Sequence, residues 1–294
     1  MRCHQWVKNG FILAAPVFAK QITVPDKAVA TAVAVFVFCL GASAVYLLND
    51  LVDLERDRLH PLKKSRPLAS GRMTRREAWV LMVILALGSL VVSVLALPFS
   101  AVLVLVAYLV SSALYSLLFK HLVILDVMFI AVGFLLRVLM GSFATSVPPS
   151  HWLLLCTLNL SLFLGFTKRR AELVALEDAA QNHREVLEHY SLSFLDQMIA
   201  IVTGATLVCY ILYTVDARTA EVFGTHYLVA TVPFVLYGVF RYLYLSYHRS
   251  EGGSPTRAIL TDRPFQVNLL LWGITCVIII YWGPDLAARM PWRD

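Results

Sequence analysis

The sequence predicts an all-α integral membrane protein, nine transmembrane helices bundled around a cavity open to the cytoplasmic side. Three observations carry that reading. Of 294 residues, 59% are hydrophobic and 15% charged, and the mean hydropathy of +0.71 is far too high for a water-soluble domain. Apolar runs approaching the ~20 residues that cross a bilayer recur along the whole chain, so none stands out as a cleaved signal peptide. Lysine and arginine gather in alternate connections, as the positive-inside rule requires of a polytopic chain.

In chain order the spans fall near residues 9 to 24, 29 to 48, 78 to 97, 100 to 118, 122 to 143, 151 to 167, 196 to 214, 226 to 246 and 266 to 283. The first is short and interrupted by Pro16. Nine spans put the termini on opposite sides, and the charge distribution puts the N-terminus in the cytoplasm and the C-terminus outside. The inward segments then hold Arg2 and Lys8, the dense group Arg56, Arg58, Lys63, Lys64, Arg66, Arg72, Arg75 and Arg76, then Lys120, Lys168, Arg169, Arg170 and Arg184, and finally Arg249, Arg257 and Arg263. The outward segments hold only Lys20, Lys27, Arg218, Arg289 and Arg293, while Arg137 and Arg241 lie within spans. No soluble domain separates out, so residues 1–294 read as a single polytopic membrane domain.

The net charge of +6 sits beside membrane spans, which points to anionic lipid or phosphate rather than nucleic acid. Cys3, Cys39, Cys156, Cys209 and Cys276 lie mostly inside apolar runs, with no CxxC spacing and no histidine cluster, and read as packing residues rather than zinc ligands.

Two inward loops, about 49–76 and 168–195, are long where most connections are short, so function is expected there. Their matching positions suggest two helical halves facing a shared cavity. The segment 248 to 264 reads as an ordinary flexible loop.

The first loop opens with Asn49-Asp50-Leu51-Val52-Asp53-Leu54-Glu55-Arg56-Asp57. If the second helix continues through residue 57, Asn49, Asp50, Asp53 and Asp57 fall within an arc of roughly 100°. Such a face suits magnesium, which takes carboxylates, water and substrate phosphate oxygens. The plain alternative is a solvated juxtamembrane helix pairing its own charges, but Asn-Asp closing an apolar helix demands a reason. Lys63, Lys64 and Arg66 follow between Pro61 and Pro67, and Gly71 allows a turn before Thr74 opens the next helix. Topology marking suffices for Arg72, Arg75 and Arg76; Arg66 is the cation assigned to phosphate.

Elsewhere each polar residue has a plain reading beside the functional one. Lys168 and Arg169 precede Glu172 by four and three residues, so one cation pairs locally and the other is left for phosphate. Tyr190 and Asp196 bracket the seventh span, and Asp196 stays open between metal ligand, ribose contact and helix cap. Asp126 and Arg137 lie three turns apart on nearly one face of the fifth span, with a structural ion pair to another span and a substrate role equally open. Lys120 suits an acceptor phosphate or a lipid headgroup. Lys8, where the first span begins, suits a phosphate or snorkelling.

At the motif level the chain resembles the UbiA superfamily of membrane transferases, whose first motif NxxxDxxxD reads here as Asn49, Asp53 and Asp57, with Asp50 completing the common ND start. Within it, Gln5-Trp6-Val7-Lys8-Asn9, Ser65-Arg66-Pro67-Leu68-Ala69-Ser70-Gly71, and Lys168-Arg169 with Glu172 are similar to the decaprenyl-phosphate phosphoribosyltransferase family. The approach Arg2-Cys3-His4 is abrupt, which leaves a start upstream of Met1 open. The resemblance spans essentially the whole chain and implies a UbiA-like nine-helix bundle in a bacterial cytoplasmic (inner) membrane. It implies magnesium (Mg2+) at Asn49, Asp50, Asp53 and Asp57, with the three aspartates catalytic. It implies 5-phosphoribosyl 1-diphosphate as donor, polyprenyl phosphate as acceptor and Lys8, Asn49, Arg66, Lys120, Lys168, Arg169, Glu172 and Tyr190 as substrate contacts, and it leaves room for a homo-oligomer.

Prenyl-diphosphate members usually carry a second DxxxD in the later loop. Here Asp178 and Asp196 stand alone among cations, which favours a donor with an extra terminal phosphate. The rival is a UbiA-type prenyltransferase using a polyprenyl diphosphate; an unrelated rival is a lipid-phosphate transporter with Asp126, Arg137 and Arg241 lining its route. A through-path would spread its polar groups across the membrane, whereas these crowd one side.

Overall fold

Hydropathy alone places most of the helices that a computed structural model of the chain contains. The structure describes residues 3–59, 63–177, 189–248 and 261–289. These form helices α1 (Ala14–Phe18), α2 (Pro25–Val52), α3 (Leu54–Leu59), α4 (Arg75–Ala96), α5 (Phe99–Leu117), α6 (Leu125–Ala144), α7 (His151–Glu177), α8 (Leu192–Val215), α9 (Ala217–Phe223), α10 (Val232–His248) and α11 (Arg263–Arg289). No strand occurs among the described residues. Asp178, Arg184, Arg249, Arg257 and most of the 248 to 264 loop lie outside them.

Seven helical stretches among the described residues are long and apolar enough to cross a membrane: Pro25–Val52, Arg75–Ala96, Phe99–Leu117, Leu125–Ala144, Leu192–Val215, Tyr227–Tyr247 and Arg263–Asp285. Their outward faces agree with that reading. Val91, Val94 and Leu95 on α4, and Leu270, Ile274 and Val277 on α11, are exposed, an arrangement that water would penalise and lipid tails would not. The protein is a multi-pass membrane protein.

Two expected spans differ. Residues 9 to 24 do not form one α-helix: a 3-10 helix, Cys3–Leu13, leads into the five residues of α1. The departure goes with a close approach of its backbone to a neighbour. A Cβ on Gly141 of α6 would lie 1.9 Å from the Ile12 carbonyl oxygen, so the segment presses its backbone onto the helix. The sixth expected span, α7, is longer than expected but interrupts its apolar run with Thr157, Asn159 and Ser161, and it is not among the seven.

The helix ends follow local chemistry. Thr74 caps α4 in a reciprocal box: its hydroxyl accepts from Glu77 N at 3.2 Å, and the Glu77 carboxylate accepts from Thr74 N at 2.8 Å. Pro98 opens α5 where its missing N–H costs nothing. Asp216 caps α9, a short helix that hydropathy did not reveal, and Gly224 closes it at φ 68°.

The described residues divide into two compact units, one ending at Leu158 and the other beginning at Asn159. In the first, α2 packs against α4, α5 and the 3-10 helix around fully buried Ile12, Val37, Phe38, Leu105 and Met140. In the second, α8 and α10 pack together, with Phe163 edge-on to Tyr242 at 5.5 Å.

Candidate active site

In the first unit the helical step of the motif survives a break that the sequence reading did not foresee. α2 stops at Val52 rather than continuing through residue 57, and Asp53 caps it at φ −90°, ψ 8° before α3 begins. Two backbone bonds carry the i to i−4 pattern across the junction, Asp53 N to Asn49 O at 2.9 Å and Asp57 N to Asp53 O at 2.8 Å. Asn49, Asp50, Asp53 and Asp57 are therefore still brought together. Asn49 Nδ2 donates to Asp53 Oδ2 at 3.0 Å, and Asp50 and Asp57 are both buried.

Two cations complete the cluster. Arg66 donates through the same Nη1 to Asp57 Oδ2 and to Asp50 Oδ1, the latter at 3.3 Å. A tight loop aims it: a 3-10 turn, Lys63–Ser65, precedes it, Ser70 N bonds back to Arg66 O at 2.8 Å, and Gly71 turns the chain at φ 78°. Arg72 braces the loop by donating to Ser65 O at 2.6 Å. The second cation is Lys120, on a 3-10 turn before α6, whose buried ammonium donates to Asp53 Oδ1. Ile124 makes the turn possible at a strained φ of 69°. Lys120 was expected at a phosphate or headgroup; the fold turns it inward onto the motif instead. Among the contacts described, these three carboxylates thus face two cations. Glu55, by contrast, pairs with Arg58 and Arg75 in exposed contacts of little energetic weight.

No group of three His, Cys, Asp or Glu side chains is arranged to cage a metal among the described residues. The donor set nonetheless fits magnesium of a particular kind. Asp50 and Asp57 converge on one nitrogen of Arg66, and magnesium is commonly held by one or two carboxylates with substrate phosphates and water in the remaining positions. The geometry fits a metal shared with a phosphorylated ligand rather than an all-protein site.

A second polar centre lies deeper in the same unit. Buried Arg137 donates through Nε to Asn9 Oδ1 at 2.9 Å, through Nη1 to Gly133 O at 2.7 Å and through Nη2 to Tyr108 Oη at 3.1 Å. Its guanidinium lies over the rings of Tyr108, Phe134 and Phe38. These described partners are all uncharged. Asp126, wholly buried on the same helix, is not among them. Asn9, part of the Gln5-Trp6-Val7-Lys8-Asn9 element, was given no role of its own from sequence, and Tyr108 was not singled out, although an asparagine inside an apolar run was a usable signal. Lys8, next to Asn9, is exposed.

In the second unit, α7 carries Lys168, Arg169 and Glu172. Both cations meet the one carboxylate: Arg169 Nη1 lies 2.5 Å from Glu172 Oε2, and Lys168 Nζ lies 3.8 Å from Oε1. Arg169 is 1% exposed and Lys168 is 44% exposed in its side chain, so Arg169 is buried against its carboxylate and Lys168 is the more accessible of the two cations. Tyr190 is buried and packs against Phe194 at 6.0 Å.

Among the described residues, Asp196 is neither a helix cap nor grouped with other carboxylates. Ser191 caps α8, accepting from Phe194 N at 3.2 Å. Asp196 Oδ1 instead accepts from Arg170 Nε at 2.6 Å and Tyr247 Oη at 2.7 Å, and the Arg170 guanidinium lies 3.8 Å from the centre of the Tyr247 ring. The three side chains tie α7, α8 and α10 together. Arg241 forms a two-pronged pair with Asp262 at 3.1 and 2.8 Å, anchoring the start of α11 rather than lining a route through the membrane.

Residues 10–274 match the UbiA prenyltransferase family. The chain is 35% identical over 298 residues to the decaprenyl-phosphate phosphoribosyltransferase of Mycolicibacterium smegmatis, covering 96% of this chain and 92% of that one. Against the enzyme of the same name from Corynebacterium glutamicum it is 33% identical, with 97% and 86% covered. Among solved structures, a UbiA homolog from Archaeoglobus fulgidus bound to DMAPP and Mg2+ superimposes with a TM-score of 0.70 at 17% identity, covering 94% of this chain and 96% of that one. An apo UbiA homolog from Aeropyrum pernix K1 gives 0.65 at 16% identity, with 98% and 99% covered. At such identities the structures establish a common fold.

Proposed function

Because this chain belongs to the UbiA prenyltransferase family, and its nearly full-length likeness is to decaprenyl-phosphate phosphoribosyltransferases, we propose that it transfers 5-phosphoribosyl from 5-phosphoribosyl 1-diphosphate to a polyprenyl phosphate of decaprenyl type. The products are polyprenylphosphoryl-5-phosphoribose and diphosphate. The observation that carries the reading is 33 to 35% identity maintained over at least 96% of the chain. It is supported by a buried Asp50, Asp53 and Asp57 cluster with two cations built into it.

Asn49, Asp50, Asp53 and Asp57 hold magnesium in this reading. When bound, the metal neutralises charge on the departing diphosphate. Arg66 supplies hydrogen bonds to donor phosphate oxygens, and Lys120 supplies a compact positive charge beside them. Lys168 offers a further cation to a substrate phosphate, while Arg169 holds Glu172 in place. Lys8 serves as an outlying phosphate contact, and Tyr190 shapes its surroundings by packing.

The acceptor phosphate oxygen forms a bond to ribose C1 as the bond from C1 to the diphosphate oxygen breaks, and the diphosphate leaves with the electron pair. An acceptor that is already anionic needs no strong general base. Positioning and charge stabilisation account for the catalysis. The likeness to bacterial relatives supports a bacterial cytoplasmic membrane setting, and the lysine and arginine distribution supports an orientation with the N-terminus and the cluster on the cytoplasmic side and the C-terminus outside.

The test combines purified protein, magnesium, phosphoribosyl-labelled donor and polyprenyl phosphate. Label is expected in an organic-extractable lipid, with one diphosphate released per transfer. No label in lipid, together with turnover of a polyprenyl diphosphate onto an aromatic acceptor, would replace this reading with prenyl transfer.

A further inference from the structure

Arg66 and Lys120 stand on the carboxylates that the proposed function gives to magnesium. Arg66 binds Asp50 and Asp57 through one nitrogen, and Lys120 binds Asp53. Neither cation belongs to α2 or α3: one comes from the loop before α4, the other from the turn before α6. They are separate parts brought to one place by the fold, and only 7% of the Lys120 side chain is exposed.

Three encounters with ligand differ in what they do to these charges. A bare divalent ion that takes Asp53 Oδ1 or Asp57 Oδ2 competes there with a cation already in place. Lys120 would then lose its carboxylate partner while still buried, and a buried charge without a counter-charge is costly. A bare diphosphate brings several negative charges up against Asp50, Asp53 and Asp57. A metal–diphosphate complex meets neither obstacle. Its metal takes carboxylate oxygens while its phosphate oxygens take the two displaced cations, so the partners exchange and no charge is left alone.

We infer that Arg66 and Lys120 are place-holders: they keep the aspartates gathered and occupied, and make the site accept a divalent metal and a diphosphate together while rejecting either alone. The inference rests on the magnesium and diphosphate reading above, and it adds that metal entry and donor entry are one event. By linkage, each ligand then raises the affinity for the other. Loss of a place-holder must act in opposite directions on the two species. It opens carboxylates to bare metal and removes a phosphate contact from the complex.

The experiment measures binding to the full-length protein in detergent or lipid nanodiscs by the loss of the free Mn2+ signal in electron paramagnetic resonance. Mn2+ is titrated alone and with inorganic diphosphate, with the solution complex accounted for. Wild type, Arg66→Met and Lys120→Met are compared. The wild type should bind the complex at least about tenfold more tightly than bare Mn2+, and each variant should bind bare Mn2+ about tenfold more tightly than wild type and the complex about tenfold more weakly.

Unchanged bare-metal affinity in a variant overturns the place-holder role of that residue, and so does unweakened binding of the complex. Should a variant fail to fold, the wild type still decides: bare Mn2+ binding as tightly as the complex overturns the inference. Failure of the underlying reading looks different, since the wild type would then show no saturable binding of the complex at all.

Discussion

Arg137 donates through Nε to Oδ1 of Asn9 at 2.9 Å, joining α6 to the 3-10 helix at the start of the chain. Asn9 is fully buried, and its amide nitrogen reaches Cys39 Sγ on α2 at 3.2 Å. The contact is thus a three-way junction. Asn9→Leu should leave the Nε donor without its acceptor inside apolar surroundings, at a cost of about 1–3 kcal/mol. Arg137→Lys should be no milder, since one ammonium cannot reproduce the spread of three guanidinium nitrogens over Asn9, Tyr108 and Gly133. Thermal unfolding in detergent is expected to show a lowered midpoint for both. A midpoint unchanged in both would mean that the junction holds nothing in place.

Replacement of the motif aspartates should separate activity from stability. Asp57→Asn leaves Arg66 paired with Asp50, so the helical bundle should stay folded while phosphoribosyl transfer falls about 10²-fold or more through loss of charge at the reacting diphosphate. Asp53→Asn should also suppress transfer, and in addition lower the unfolding midpoint, because Lys120 then keeps no carboxylate partner among the described residues. Full transfer rates for both variants across a magnesium titration would remove the aspartates from the mechanism.

Asp196 offers a contrast within the second unit. Its carboxylate is held by Arg170 and Tyr247, so Asp196→Asn is expected to leave the magnesium dependence of transfer where it is in the wild type. Tyr247→Phe should cost only about 0.5–1.5 kcal/mol of stability, one hydrogen bond at a partly exposed carboxylate. A displaced magnesium midpoint in Asp196→Asn, measured beside Asp57→Asn, would return Asp196 to the metal site.

Gly141 is where the first segment meets α6 most closely. A methyl group there would sit 1.9 Å from the Ile12 carbonyl oxygen and 2.9 Å from its carbon, backbone atoms that no rotamer change can move aside. Gly141→Ala should therefore cost about 1–3 kcal/mol and displace the segment that carries Lys8 and Asn9. Gly88, whose added Cβ would meet nothing within 4 Å, provides the control. An alanine there should leave the unfolding midpoint unchanged or slightly raised, whereas equal effects at the two positions would count against the close approach.

Much of the helix layout was legible because its signals are local. A run of apolar residues near bilayer length reports its own membrane span, and Thr74 with Glu77 announces the start of α4 within four residues. The NxxxDxxxD spacing worked for the same reason. Backbone bonds at i to i−4 keep Asn49, Asp53 and Asp57 in step even though α2 breaks at Asp53. The first segment was misread because hydropathy counts apolar side chains and is blind to a backbone pressed against a glycine on another helix.

Partners across helices were not legible. Lys120 on Asp53, Arg137 on Asn9 and Tyr247 on Asp196 lie 67, 128 and 51 residues apart in the chain. In a bilayer the lipid-facing and buried sides of a helix are similarly apolar, so the sequence pattern says little about how each helix is rotated about its axis. The sequence by itself determined the membrane class, most of the helices and the aspartate motif. Only the tertiary structure decided that two distant cations sit on that motif, because close packing, and not hydropathy, sets the rotation and register that bring them there.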